Sequence, residues 1–242
     1  MKKPLSAPPP RVVLCVGLKS SGSTWLYNVA ISVLKEAFKG AKIGAFYADN
    51  FRMFPPGSWQ SRMLVLKSHE PSEAVLFLNR FTRGEMLVSV REPRDSVASL
   101  MQRFGHSFES ALRDVTVESE RLVALKRSSR KTLTLRYEDG FTDDEKTVAR
   151  VARHLGVTIG AAAARRIFRA HGKEAVKQTI KKLHGRKRDP DAFDLTTQWH
   201  PGHVGDGRIG KYKTVLTAAQ QKQIQAATKT YAKEFGYLPR KK

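Results

Sequence analysis

The stretch GLKSSGST, residues 17–24, directly follows the apolar run RVVLCV (11–16). It leads into WLYNVAISVLKEAF (25–38), whose apolar residues recur at helical spacing. An apolar strand, a turn holding Gly17 and Gly22, and an amphipathic helix in immediate succession form the opening unit of an α/β domain. The stretch comes close to the phosphate-loop pattern GxxxxGK followed by Ser or Thr, with Gly17, Gly22 and Thr24 in register. Ser23 stands where that pattern has its lysine, and a lysine lies four residues earlier, at Lys19.

Four further runs rich in β-branched or large apolar residues follow: KIGAFYA (42–48), RMLVLKS (62–68), EMLVSVR (85–91) and TLTLRYE (132–138). Amphipathic segments at 23–38, 72–81, 95–104 and 108–128 lie between them. Strand and helix therefore alternate, which predicts an α/β fold with a central parallel sheet flanked by helices. After the fifth run the pattern is helical, at 142–155, 160–170, 173–183 and 217–235, with a long loop over 184–213. Residues 1–10, with prolines at 8–10, read as a flexible leader, and 11–242 as a single domain.

Composition agrees with one globular domain: the chain has 242 residues, 40% of them apolar and 9% aromatic. The N-terminus lacks the apolar core of a signal peptide, and no run is long enough to span a bilayer. We expect a soluble, cytoplasmic protein. The lone Cys15 falls inside the first strand, as a buried structural thiol would, and no Cys, His and Asp cluster has the spacing of a structural zinc site. The net charge is +22, and more of the excess lies after Ala149 than before it. Anionic partners follow, although charge alone does not choose among nucleic acid, membrane surface, polyanionic substrate and phosphorylated cofactor.

Ligands of such sheets bind beyond the carboxyl ends of the strands. There the loop of 17–24 offers the free N–H groups and positive dipole of a helix N-terminus, hydroxyls from Ser20, Ser21, Ser23 and Thr24, and the charge of Lys19. A nucleotide triphosphatase would add the missing lysine and a strand-end carboxylate for magnesium. The other strands end instead in Lys67-Ser68-His69, in Arg91-Glu92-Pro93-Arg94 and in Tyr137-Glu138-Asp139, so cations dominate the crevice.

Taken with their neighbours, these segments resemble the sulfotransferases that use 3′-phosphoadenosine 5′-phosphosulfate (PAPS). GLKSSGSTWL is similar to their 5′-phosphosulfate loop, commonly PKSGTTWL, and VLKSHEP to their KTHLP segment. SVREPRDSVAS resembles their 3′-phosphate segment VRNPRDVAVS, with Arg91 and Ser99 at the same separation, and LRYEDG resembles their strand-ending YEDM. The resemblance implies a sulfotransferase domain with an α/β fold like that of P-loop nucleotide triphosphatases, PAPS as donor, a hydroxyl or amine acceptor, and no metal. It assigns Lys19 to the phosphosulfate and leaving group, and Ser20, Ser21, Gly22, Ser23 and Thr24 to the 5′-phosphate. Trp25 and Tyr137 go to adenine, and Arg91 and Ser99 to the 3′-phosphate.

At the strand end His69 is the candidate general base, since a free imidazole titrates near neutrality, and Lys67 is a second contact to the transferring group. Glu70 and Glu73 are alternatives for the base. The family's closing segment RKGxxGDWK is only partly matched by HVGDGRIGKYKTVL (203–216); Arg208 is the candidate for its 3′-phosphate contact, with Lys211 and His203 as substitutes. FRMFPPGSW (51–59) could wall an acceptor pocket or simply pack. The basic helix KEAVKQTIKKLHGRKR (173–188) reads as a core-packed helix with a solvated face, or as a contact for an anionic glycan, a lipid headgroup or an acidic membrane. The competing functions are a P-loop kinase using ATP and magnesium, and a basic nucleic-acid-binding protein. The first lacks its lysine, and the second lacks any nucleic-acid-binding motif.

Overall fold

The computed structural model describes residues 10–128, 131–186 and 194–238. Of the expected leader only Pro10 falls among them, as does only part of the basic helix's C-terminal end and of the 184–213 loop. All five predicted strands form: β1 (Arg11–Gly17), β2 (Ile43–Tyr47), β3 (Met63–Ser68), β4 (Met86–Val90) and β5 (Thr132–Arg136). They make one sheet in the order β2-β3-β1-β4-β5, and every neighbouring pair is parallel.

The period-2 pattern of β1 divides the core. Val12, Leu14 and Val16 pack on one face beneath α2 (Glu73–Phe81), α3 (Pro93–Phe104) and α4 (Phe108–Ser128). Val13 and Cys15 pack on the other beneath α1 (Ser23–Ala37), α5 (Lys146–His154), α6 (Ala161–Ala170) and α7 (Lys173–Arg186). Both faces of the central strand are dry, as a parallel sheet requires. Val176, Ile180 and Leu183 of α7 pack on this second face, so its described part is a core-packed helix.

The remaining helices are α8 (Tyr212–Val215), α9 (Ala218–Ala227) and α10 (Lys229–Glu234). Three boundaries differ from expectation, each for a local reason. Proline at the first helical position starts α3 at Pro93 rather than at Asp95. Asp144 accepts from Lys146 N at 3.0 Å, and this turn delays α5 to Lys146. The expected helix over 217–235 breaks at Thr228, whose hydroxyl bonds back to the Ile224 carbonyl at 2.8 Å. A short α8 also interrupts the expected loop, docked by buried Asp95, which accepts from Gly210 N at 2.7 Å and from Tyr212 N at 3.0 Å.

β1 lies where the strand order reverses, so its carboxyl end opens onto the crevice between β3 and β4. The loop leaves β1 through Gly17, where an added Cβ would lie 2.1 Å from Ser89 Oγ and 2.8 Å from Ser23 Cβ. Gly17→Ala is therefore expected to cost about 1–3 kcal/mol by overpacking. Denaturant unfolding measures this, and a midpoint equal to wild type would show that the loop relaxes freely.

Candidate active site

A cavity of about 460 Å³ opens at the carboxyl ends of β1, β3 and β4. Its floor is the 17–24 loop. Leu18 N donates to the Ser89 carbonyl at 3.2 Å, and Ser21 Oγ lies 2.7 Å from Ser89 Oγ, so the loop is stitched to β4. Ser21 is thus used structurally, whereas Ser20, Gly22, Ser23, Thr24 and Trp25 line the cavity. Ser20 holds φ of +65° and Gly22 φ of +82°, a left-handed pair that turns the chain sharply into α1.

Arg91, at the end of β4, is 2% exposed. Its guanidinium donates to the Ser20 carbonyl and to the Arg208 carbonyl, both at 2.9 Å, and lies 4.3 Å over the Tyr137 ring. It therefore joins the phosphate-type loop, the 205–211 segment and β5. Ser99 faces the same cavity from α3. Arg91 Nε, Ser99 Oγ, Ser20 Oγ and Trp25 Nε1 are all buried, and none has a hydrogen-bond partner among the described residues. Native structures rarely leave such groups unsatisfied; His106 Nδ1 and His203 Nδ1 in the same lining also have no hydrogen-bond partner among the described residues, and polar groups so gathered suit a polar, anionic ligand.

The other end of the cavity is built on β3. Asp49 accepts from His69 N at 3.2 Å, from Glu70 N at 3.1 Å, from Tyr47 OH at 2.6 Å, and from the Ser68 hydroxyl. Burial alone would push its carboxyl up, but the hydrogen bonds from Ser68, Tyr47 and the two backbone N–H groups hold it below the usual carboxylate range. This fixes the strand end that carries His69. His69 Nδ1 is 2.7 Å from the Gly17 carbonyl, so Nδ1–H donates to it and Nε2 keeps its lone pair. Burial, reinforced by the nearby Lys67 ammonium, pushes the imidazole down to about 3. Lys67 is itself 7% exposed, and burial lowers it to about 8.

Lys19 is held from an unexpected direction. Its ammonium lies 3.0 Å from Asp114 and 3.2 Å from Glu118, and its backbone N–H donates to Glu118 at 2.7 Å; both acids stand on α4. Burial opposes its charge, but the two carboxylates prevail and raise it. The register of the loop accounts for this placement. In PKSGTTWL the lysine stands five residues before the tryptophan, a place taken here by Ser20, with Lys19 one residue further back from Trp25.

Lys19, Lys67, His69, Arg91, Ser99 and Tyr137 all reach the cavity wall. Arg208 does not: its guanidinium turns to the Thr214 hydroxyl at 3.1 Å, and the buried Lys211, paired with Asp206 at 2.6 Å, lines the cavity in its stead. His203 also lines it. Glu70 and Glu73 are exposed and stand outside the lining. The aromatic groups of 51–59 pack on one another and on the sheet edge, Phe54 stacked against Trp59 at 5.6 Å and edge-to-face against Phe46 of β2 at 5.0 Å, and none lines the cavity.

Sequence reasoning missed Arg103, one turn beyond Ser99 on α3, whose guanidinium donates to the Gly202 carbonyl at 2.7 Å and also to that of His203. It also missed His106, Trp199 and His200 in the cavity lining. The spacing of Arg103 from Ser99 was the one available signal.

No family model and no curated protein matches the sequence. Solved structures do match in fold. Mouse sulfotransferase SULT7A1 complexed with PAP aligns with a TM-score of 0.68 at 14% identity, over 96% of this chain and 90% of that one. Retinol dehydratase in a complex with retinol and PAP aligns with a TM-score of 0.63 at 17% identity, over 94% and 82%. The chain has the sulfotransferase fold.

Proposed function

We propose that this protein is a sulfotransferase that takes its sulfuryl group from PAPS and delivers it to a hydroxyl or amine acceptor. The observation that carries this reading is the set of four unpartnered buried groups, Ser20 Oγ, Trp25 Nε1, Arg91 Nε and Ser99 Oγ, around a cavity also lined by Lys19 and Lys67. Those donors suit a nucleotide with phosphate at both ribose ends, and the structural neighbours hold PAP (3′,5′-adenosine bisphosphate).

Arg91, Ser99 and, in place of Arg208, the neighbouring Arg103 and Lys211 would hold the 3′-phosphate. The first turn of α1 with Ser20, Ser23 and Thr24 would hold the 5′ end, and Trp25 and Tyr137 the adenine. When bound, the donor supplies an electrophilic sulfuryl group on a stable leaving phosphate. The chain's own part is alignment and charge stabilisation by Lys67 and Lys19, with His69 Nε2 receiving the acceptor's proton.

Calorimetric titration separates this reading from its rivals. PAP is expected to bind at micromolar Kd, with ATP–magnesium and a random oligonucleotide at least about tenfold weaker. Tighter binding of ATP–magnesium or of the oligonucleotide overturns it.

Lys67 sets the alkaline limit. A lysine lowered to about 8 carries its charge below that pH and loses it above. The kcat/KM for PAPS, which reports the free enzyme, is therefore expected to decline as pH rises through about 8, and Lys67→Arg to move that decline upward, because guanidinium stays charged. An alkaline limb at the same pH in Lys67→Arg would assign it to another group.

A further inference from the structure

Glu118 has no exposed surface, yet it touches both ends of the candidate machinery. One carboxylate oxygen accepts from Lys19 N at 2.7 Å; the other lies 3.2 Å from Lys19 Nζ and 3.8 Å from His69 Nδ1. The charged and titratable groups around it are Lys19 from the loop after β1, Tyr47 from β2, Lys67 and His69 from the end of β3, Tyr231 from α10, and Asp114 one turn earlier on α4. Burial raises Glu118 to about 7 against the pull of Lys19.

Two features conflict as the side chains stand. The imidazole suited to accept a proton faces Lys67 and Lys19 and is a weak base at about 3. The cation suited to meet an anion is spent on two carboxylates. A single movement resolves both, because a buried carboxylate deprived of its cation must find another positive partner or a proton.

This step rests on the donor reading above. We propose that Glu118 is a positioning residue that couples donor capture to activation of His69. When Lys19 turns from α4 to the donor's 5′ end, Glu118 is left as the buried counter-charge of His69, and the two together bind one more proton than before. In the PAP complex that proton comes from solvent. In turnover the pair returns that proton to solvent as the acceptor seats, and His69 Nε2 then receives the acceptor's own as the acceptor oxygen or nitrogen bonds to sulfur and the bisphosphate departs with the electron pair of the broken bond. The donor must therefore bind before the base is competent.

The test is calorimetric titration of PAP into the full chain at about pH 8, in two buffers of different ionisation enthalpy; both PAP phosphates are then fully ionised, their second pKa being about 6. Wild type is expected to take up about one proton per PAP bound at the coupled pair, beyond the fraction that Lys67, lowered to about 8, binds at this pH. Glu118→Gln is expected to bind PAP with none of the pair's uptake, because the amide carries no charge to compensate. Lys19→Met is also expected to show none, because without the ammonium the pair already holds its proton; this variant keeps the test decisive should Glu118→Gln fail to fold. PAP binding to wild type with the same enthalpy in both buffers, or equal uptake in wild type and either variant, overturns the coupling and leaves the donor reading standing. Absence of PAP binding to wild type overturns both.

Discussion

Arg91→Met is expected to weaken PAP binding by about 30- to 1,000-fold, a loss of about 2–4 kcal/mol, the range for removing one partner of a buried, hydrogen-bonded charge contact. Methionine fills much of the volume, so the loss isolates charge and hydrogen bonding from packing. Arg91 donates to Ser20 and Arg208 carbonyls while its Nε is unpartnered, so a ligand at Nε would be read by a guanidinium already fixed in place. Such preorganisation keeps the entropic cost of binding low. Arg91→Lys should recover little of the affinity, because a single ammonium cannot span both carbonyls and a ligand oxygen. The substitution also unties the 205–211 segment, so unfolding should be followed beside calorimetry. A protein of near-native stability that binds PAP as tightly as wild type would remove Arg91 from the donor site.

The strands were legible because each is a short apolar run bounded by turn residues, and their ends could be counted to the residue. His69, Arg91 and Tyr137 each follow a strand end directly and Lys67 is the last residue but one of β3, so their arrival at one crevice was a consequence of parallel strands. The acids on α4 were not legible. Asp114 and Glu118 sit one turn apart in a helix whose pattern is that of any amphipathic helix, and Glu118 is 99 residues from the Lys19 backbone group it meets. Arg208 was misplaced for a different reason: in a glycine-rich segment the side chain that turns inward is decided by single backbone angles. Positive φ at Gly207 and Gly210 brings Lys211 to the cavity wall and sends Arg208 to Thr214.

His69→Ala is expected to lower sulfate transfer from PAPS, measured against a panel of phenolic, carbohydrate and amine acceptors, by about 10²- to 10⁴-fold, while PAP affinity changes by less than about twofold. The separation follows from where the imidazole points. Nδ1 is committed to the Gly17 carbonyl, so the ring is held by the donor loop, while Nε2 is free to meet the acceptor. His69→Gln is the sharper variant, because its amide can still donate to Gly17 and fills the space but cannot accept a proton into a charged form. If the loss in His69→Gln matches that in His69→Ala, the role is proton transfer; if glutamine restores turnover, the role is support of the loop. Near-normal turnover in both would send the base elsewhere, and the exposed Glu70 and Glu73 could take it only by moving, since neither lines the cavity. A base at about 3 is weak for proton abstraction at neutral pH, so full activity demands that its surroundings change once the donor is held. Glu118, 3.8 Å behind the ring, is the group placed to make that change, and its removal should therefore depress turnover through His69 while PAP affinity is kept or raised, because Lys19 no longer has to leave a buried carboxylate.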